Sequence, residues 1–355
     1  MKVRCKVDNI VLEYRDPLFS IIILVALVFI ISFFAYSYGI YRERLARKDY
    51  RKLSRRFELG KLKEDDYVHL YKTYNLPFDS ILLLASSFLH KGDYNKAINV
   101  YLTLLEHVKD RVKKEELLQL LGTTYFKGGF LQRSKDVFMR ILKFSPRNKD
   151  VLIYLVIIHE KLKDFKKAKE VTSCLKELNS DVSKEETYLD ALIILNDPIY
   201  SYDKRAELLF EIYKKDKSIQ RLFVEFLLLY NIEYFWKNLE EFEPELFIDL
   251  LWYLKYEDID FNKVSKNDYL HQLYNAKGYL HNLEQSEDFI FNILILLHKH
   301  SSQVNATLDF EFVCSSCKQT HPIYENRCPH CHNILTFKVT HSLSKSFDQA
   351  SQSLQ

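Results

Sequence analysis

The sequence predicts an all-α chain, a helical solenoid behind one N-terminal transmembrane helix, with a small cysteine-rich module near the C-terminus. Three observations predict it. Residues 17–41 form a run without a single charge, PLFSIIILVALVFIISFFAYSYGIY. From Ile81 onward, apolar residues recur at three- and four-residue steps in segments separated by short turns, the pattern of packed helices. Four of the six cysteines fall within positions 314–331.

The uncharged run is long enough to cross a hydrocarbon core of about 30 Å as one helix. A cleaved signal peptide, with Ala35-Tyr36-Ser37 as its small-x-small site, is the weaker reading, because the run exceeds the usual apolar stretch of about 7–15 residues. Residues 1–16 carry Lys2, Arg4, Lys6 and Arg15 against Asp8, Glu13 and Asp16. Residues 42–60 are far more basic, with Arg42, Arg44, Arg47, Lys48, Arg51, Lys52, Arg55 and Arg56. The basic flank stays in the cytoplasm, so the bulk of the chain is expected there and residues 1–16 on the far side.

Residues 61–182 hold three units of helix-turn-helix character: ILLLASSFLHKGDYNKAINVYLTLLEH, LLQLLGTTYFKGGFLQRSKDVFMRILKFSPRN and LIYLVIIHEKLKDFKKAKEVTSCLKEL. Alignment superposes Leu84, Leu121 and Leu155, then Ala85, Gly122 and Val156, then Phe88, Tyr125 and His159. The turns KGDY, KGGF and LKDF follow, and then Ala97, Ser134 and Ala168. The successive offsets are 37 and 34 residues, the second being the tetratricopeptide period, and Pro146 falls where that repeat places a proline. Small residues are required where paired helices cross closely. Residues 183–307 continue as amphipathic segments without a clear period, among them RLFVEFLLLYNIEYFWKNL and ELFIDLLWYLKY, read as degenerate repeats. Their many Tyr and Phe side chains are expected to fill the layers between helices.

Residues 308–340 contain Cys314-x-x-Cys317, ten residues, and Cys328-x-x-Cys331. Each C-x-x-C turn presents two thiolates, and two such turns enclose one tetrahedral ion. Spacing leaves zinc and a rubredoxin-type iron both open. A segment this short cannot bury an adequate core alone, so the ion is expected to supply much of its folding free energy. His321, His330 and His332 are expected beside the ion or in solvent, since four thiolates already complete the set. Cys5 and Cys174 stand apart, and Cys174 is expected to be buried packing. Residues 341–355 read as a tail.

Several function classes lack support. Seven glycines and seven prolines in 355 residues leave little room for phosphate-cradling loops, and neither a Walker A loop nor a G-x-S-x-G elbow is present. His159-Glu160 opens like a zincin motif, but Lys163 stands where its second histidine is required. Asp65-Asp66 and Glu185-Glu186 read as solvated acidic faces. The formal charge of +3 gives no global field for nucleic acid, and residues 310–340 offer only Lys318, Arg327 and Lys338 as fixed cations. No catalytic constellation is present, so a non-enzyme is expected.

The order of these parts resembles the lipopolysaccharide assembly protein B family. The likeness is carried by ILLLASSFLHKGDYNKAINVYLTLLEH, LLGTTYFKGGF, HEKLKDFKKAKEV and FVCSSCKQTHPIYENRCPHCHN followed by LTFK. It implies a single-pass protein of the bacterial inner membrane with a rubredoxin-like module whose metal ligands are Cys314, Cys317, Cys328 and Cys331. It further implies an adaptor in the control of lipid A synthesis, linking a biosynthetic deacetylase to a membrane-anchored ATP-dependent protease and responding to lipopolysaccharide-transport or signalling membrane proteins. Lys318 stands where the family commonly has glycine, and residues 1–16 exceed the family's usual leader. Rival readings are rubredoxin-like electron transfer, a nucleic-acid-binding zinc ribbon and a general tetratricopeptide scaffold with another client. A homodimer through the span or the repeats stays open.

Overall fold

A computed structural model describes residues 17–58, 78–300 and 306–345. Asp65-Asp66 and Cys5 lie outside the described residues. Among those described are fifteen α-helices and one three-stranded sheet. They fall into two compact units, one ending at Ile141 and the other beginning at Leu142.

In the first unit, α1 runs from Pro17 to Glu58 as one helix. Its stretch Ile23–Arg42 has a mean hydropathy of 2.3 and is long and apolar enough to cross a membrane. Two helical pairs follow, α2 (Phe78–His90) with α3 (Tyr94–His107), and α4 (Arg111–Lys127) with α5 (Leu131–Leu142). The turns between partners need a left-handed residue, and Gly92 and Gly129 supply it at φ 78° each. The small residues at 85, 97 and 134 are fully buried. At the tightest approach, a Cβ on Gly122 would lie 2.5 Å from Phe138 Cε1, so only glycine fits without a shift. Beside it the Ser134 hydroxyl donates to the Gly122 carbonyl at 2.7 Å.

The second unit opens with α6 (Lys149–Lys161) and α7 (Phe165–Glu177), then α8 (Ser183–Asn196) and α9 (Tyr202–Lys215). Asn148 caps α6, its side chain accepting from the Val151 amide at 3.2 Å. The α6–α7 turn places Lys163 at φ 59°, a left-handed conformation without glycine. Val156 and His159, the two departures from the repeat pattern, are both buried.

Beyond α9 the helices shorten to α10 (Gln220–Tyr230), α11 (Ile232–Lys237), α12 (Ile248–Trp252), α13 (Phe261–Val264), α14 (Asp268–Ala276) and α15 (Phe289–His300). Two segments read as single amphipathic helices are in fact broken. Asn231 ends α10 and caps α11 by accepting from the Tyr234 amide at 3.2 Å. Pro244 starts a single 3-10 turn that gives way to the five-residue α12. The aromatic residues fill the interior as expected: Tyr213, Phe223, Phe235, Phe247, Tyr274 and Phe291 are almost fully buried. Phe242 joins several of them, stacking on Phe235 with centroids 5.7 Å apart.

The same core takes in the sheet. Strands β1 (Ala306–Cys314), β2 (Thr320–His321) and β3 (Phe337–Lys345) lie in the order β2-β1-β3, all antiparallel. The β1–β3 register runs from Ala306↔Lys345 to Cys314↔Phe337, so β3 continues into the segment read as a tail from residue 341. Along β1, Leu308, Phe310, Phe312 and Cys314 alternate inward, and the first three pack into the aromatic helical core together with Ile334.

Candidate metal centre

Both cysteine turns are built alike. Cys314 to Lys318 continues β1 into a tight loop in which the Lys318 amide donates to the Cys314 carbonyl at 2.9 Å and the Cys314 amide to the Gln319 carbonyl at 3.0 Å. Cys328 to His332 repeats both bonds, from the His332 amide to the Cys328 carbonyl and from the Cys328 amide to the Asn333 carbonyl, each at 2.9 Å. Lys318 and His332 hold φ 62° and 63°, so each turn makes its left-handed step without glycine. Lys318 stood out in the sequence for lacking glycine; its counterpart His332 did not.

The two turns face each other and bring the four predicted sulfurs together, all within 4.8 Å of one another. Cys314 Sγ lies 3.7 Å from Cys331 Sγ, and Cys317 Sγ lies 3.7 Å from Cys328 Sγ. A tetrahedral ion with metal–sulfur bonds of about 2.3 Å sets sulfur–sulfur edges of about 3.8 Å, so the donor set fits one such ion. Cys314 and Cys328 are fully buried, while Cys317 and Cys331 are half-buried. Burial alone would raise the Cys314 thiol, but the amides of Cys317 and Ser316 and the Thr336 hydroxyl outweigh it and hold that thiol down at about 6. Burial instead pushes the Cys331 thiol up to about 12. A metal ion inverts this balance by deprotonating its thiols outright.

None of the nearby histidines joins the cluster of four. His321 Nε2 approaches Cys328 Sγ at 3.9 Å, with its ring edge-on to Phe337. His330 is exposed, and His332 lies edge-on to Tyr154 with centroids 5.8 Å apart.

The residues immediately around the second turn tie it to the helices. Arg327, one position before Cys328, donates from Nε to Glu160 Oε2 of α6 at 2.7 Å, from a terminal nitrogen to Glu185 of α8, and from the other to the His332 carbonyl at 2.8 Å. The Tyr188 hydroxyl donates to the second oxygen of Glu160 at 2.9 Å. The three charged side chains are only 10%, 13% and 17% exposed for Arg327, Glu160 and Glu185. A second buried arginine, Arg221 of α10, makes two bonds to Asp249 of α12 at 2.7 and 2.6 Å, and its guanidinium lies 3.8 Å from the centroid of the Tyr324 ring. Further along the sheet, Trp252 Nε1 donates to Thr307 Oγ1 at 3.3 Å and His341 pairs with Asp288 at 3.1 Å.

Two expectations are corrected here. Glu185-Glu186 is not a merely solvated face, because Glu185 is held by Arg327 and Glu186 by Lys176 at 2.8 Å. Cys174 is exposed rather than buried, because its position on α7 turns away from the inward face formed by Ala168, Thr172 and Leu175. Arg327, counted among three cations of the module, is spent on internal carboxylates, which further weakens any phosphate footprint.

No family model matches the chain, and no curated protein matches it significantly.

Proposed function

We propose that the chain is a membrane-anchored, non-catalytic adaptor, with a tetratricopeptide-like solenoid that holds protein partners in the cytoplasm and a metal-bound module that completes its body. The observation that carries this reading is the seating of the four-cysteine module. Its strand β1 buries Leu308, Phe310 and Phe312 in the helical core, and Arg327 beside Cys328 bridges carboxylates of α6 and α8. Cys314, Cys317, Cys328 and Cys331 would hold the ion, which would supply a link between the two cysteine turns, the second of them preceded directly by Arg327. The glycine turns at 92 and 129 and the Gly122–Phe138 approach support the repeat reading. The helix that continues from the apolar stretch through the basic segment to Glu58 supports a retained inner-membrane anchor over a leader. An exposed, stacked pair, Tyr202 and Tyr230 with centroids 4.7 Å apart, and exposed Ile199 and Leu229 on the same stretches, supports a partner-binding surface.

The resemblance to the lipopolysaccharide assembly protein B family supplies the clients: a lipid A biosynthetic enzyme and a membrane ATP-dependent protease, brought together on one scaffold. The half-buried Cys317 and Cys331 favour a second reading, electron transfer through a bound iron. Crosslinking in the native cells, followed by capture of the full-length protein and metal analysis, separates the two. A protease and a lipid A enzyme, lost in the Cys328→Ser, Cys331→Ser variant, support the adaptor. Redox partners with stoichiometric iron overturn it.

A further inference from the structure

The four sulfurs are not equivalent. Cys314 has the hydroxyl of a neighbouring residue, Thr336 Oγ1, 3.2 Å from its sulfur, whereas Cys317 Sγ faces Cys328 Sγ and Cys328 Sγ also faces His321. That hydroxyl is held in place from two sides. The Thr336 carbonyl accepts from the Ser315 amide at 2.8 Å, inside the first turn, and the next residue, Phe337, is paired in register with Cys314 itself. A metal-bound thiolate carries no proton, so the hydroxyl is the donor and the sulfur the acceptor.

We propose that Thr336 is a positioning residue for the metal, lowering the donor strength of the Cys314 thiolate through this O–H···S bond and so setting the electronic character of the bound ion. A hydrogen bond draws density from a sulfur lone pair, which raises the energy of sulfur-to-metal charge transfer and, in an iron site, the reduction potential. The proposal rests on the four-thiolate metal reading. Failure of the wild-type chain to bind cobalt would overturn that reading and this proposal with it, whereas unshifted spectra in cobalt-loaded variants overturn this proposal alone.

The test uses the full-length protein in detergent, loaded with Co(II), whose thiolate charge-transfer bands report donor strength directly. Thr336→Val and Thr336→Ala remove the hydroxyl, and Thr336→Ser keeps it. The expected result is a shift of the charge-transfer band to longer wavelength in the Val and Ala variants, with the Ser variant unchanged from wild type. Loss of cobalt binding in Val and Ala with normal binding in Ser also supports a role for the hydroxyl. Unshifted spectra in Val and Ala overturn the proposal, as does a Ser variant that shifts or loses cobalt as they do, which would place the requirement in the packing of the side chain.

Discussion

Replacing Arg327 with methionine keeps most of its length and removes its charge, leaving Glu160 and Glu185 facing each other at 13% and 17% exposure with no counterion. Breaking a buried pair by deleting one partner costs about 3–5 kcal/mol, because the remaining charge is left desolvated. Here two carboxylates lose the same partner, and Tyr188 remains to satisfy only one oxygen of Glu160. At about 1.4 kcal/mol per tenfold, amide protection across α6 and α8 should fall on the order of a hundredfold or more in hydrogen exchange. The triple variant that also carries Glu160→Gln and Glu185→Gln removes all three charges and should return to within about 1–2 kcal/mol of wild type. A single variant that loses under about tenfold protection, or a triple variant as weak as the single, would refute the reasoning.

Other outcomes follow from the same geometry. Metal affinity should weaken as pH falls, since protons compete for the thiolates; with Cys331 pushed up to about 12, binding at pH 7 should release at least one proton, measurable by calorimetry in buffers of different ionisation heat. Equal apparent heats in all buffers would contradict this. Gly122→Ala should destabilise the first unit by about 1–3 kcal/mol through the clash with Phe138, and Phe138→Leu in the same chain should recover part of that loss in urea unfolding. Lys163→Gly should stabilise the α6–α7 turn by about 0.5–1 kcal/mol, the relief of left-handed strain exceeding the added freedom of the unfolded chain. A lower midpoint in thermal unfolding would count against it.

What the sequence revealed was local chemistry. Two cysteines three positions apart can hardly avoid sharing a turn, so the close cluster of four cysteines, able to hold a metal ion, was legible from spacing. Gly92 and Gly129 marked turns that need a left-handed residue, whereas Lys163 takes the same conformation with nothing in its identity to announce it. Periodicity found the helices but not their breaks, since Asn231 sits inside an unbroken apolar pattern and acts only through its capping side chain. The contacts that seat the module were illegible for a different reason. Arg327 and Glu160 are 167 residues apart, and a glutamate in a charged helix looks the same whether water or a guanidinium faces it. Thr336 is hidden likewise, because a threonine beside a strand gives no sign that a sulfur lies opposite.

The central claim is that the metal holds helices as well as its own module. The most direct measurement is hydrogen exchange on the full-length protein before and after the metal is stripped by a chelator, read peptide by peptide. The account predicts that protection falls in 306–345 and also in α6 and α8, where Glu160 and Glu185 lose Arg327. Loss confined to 306–345, with α6 and α8 unchanged, would contradict it.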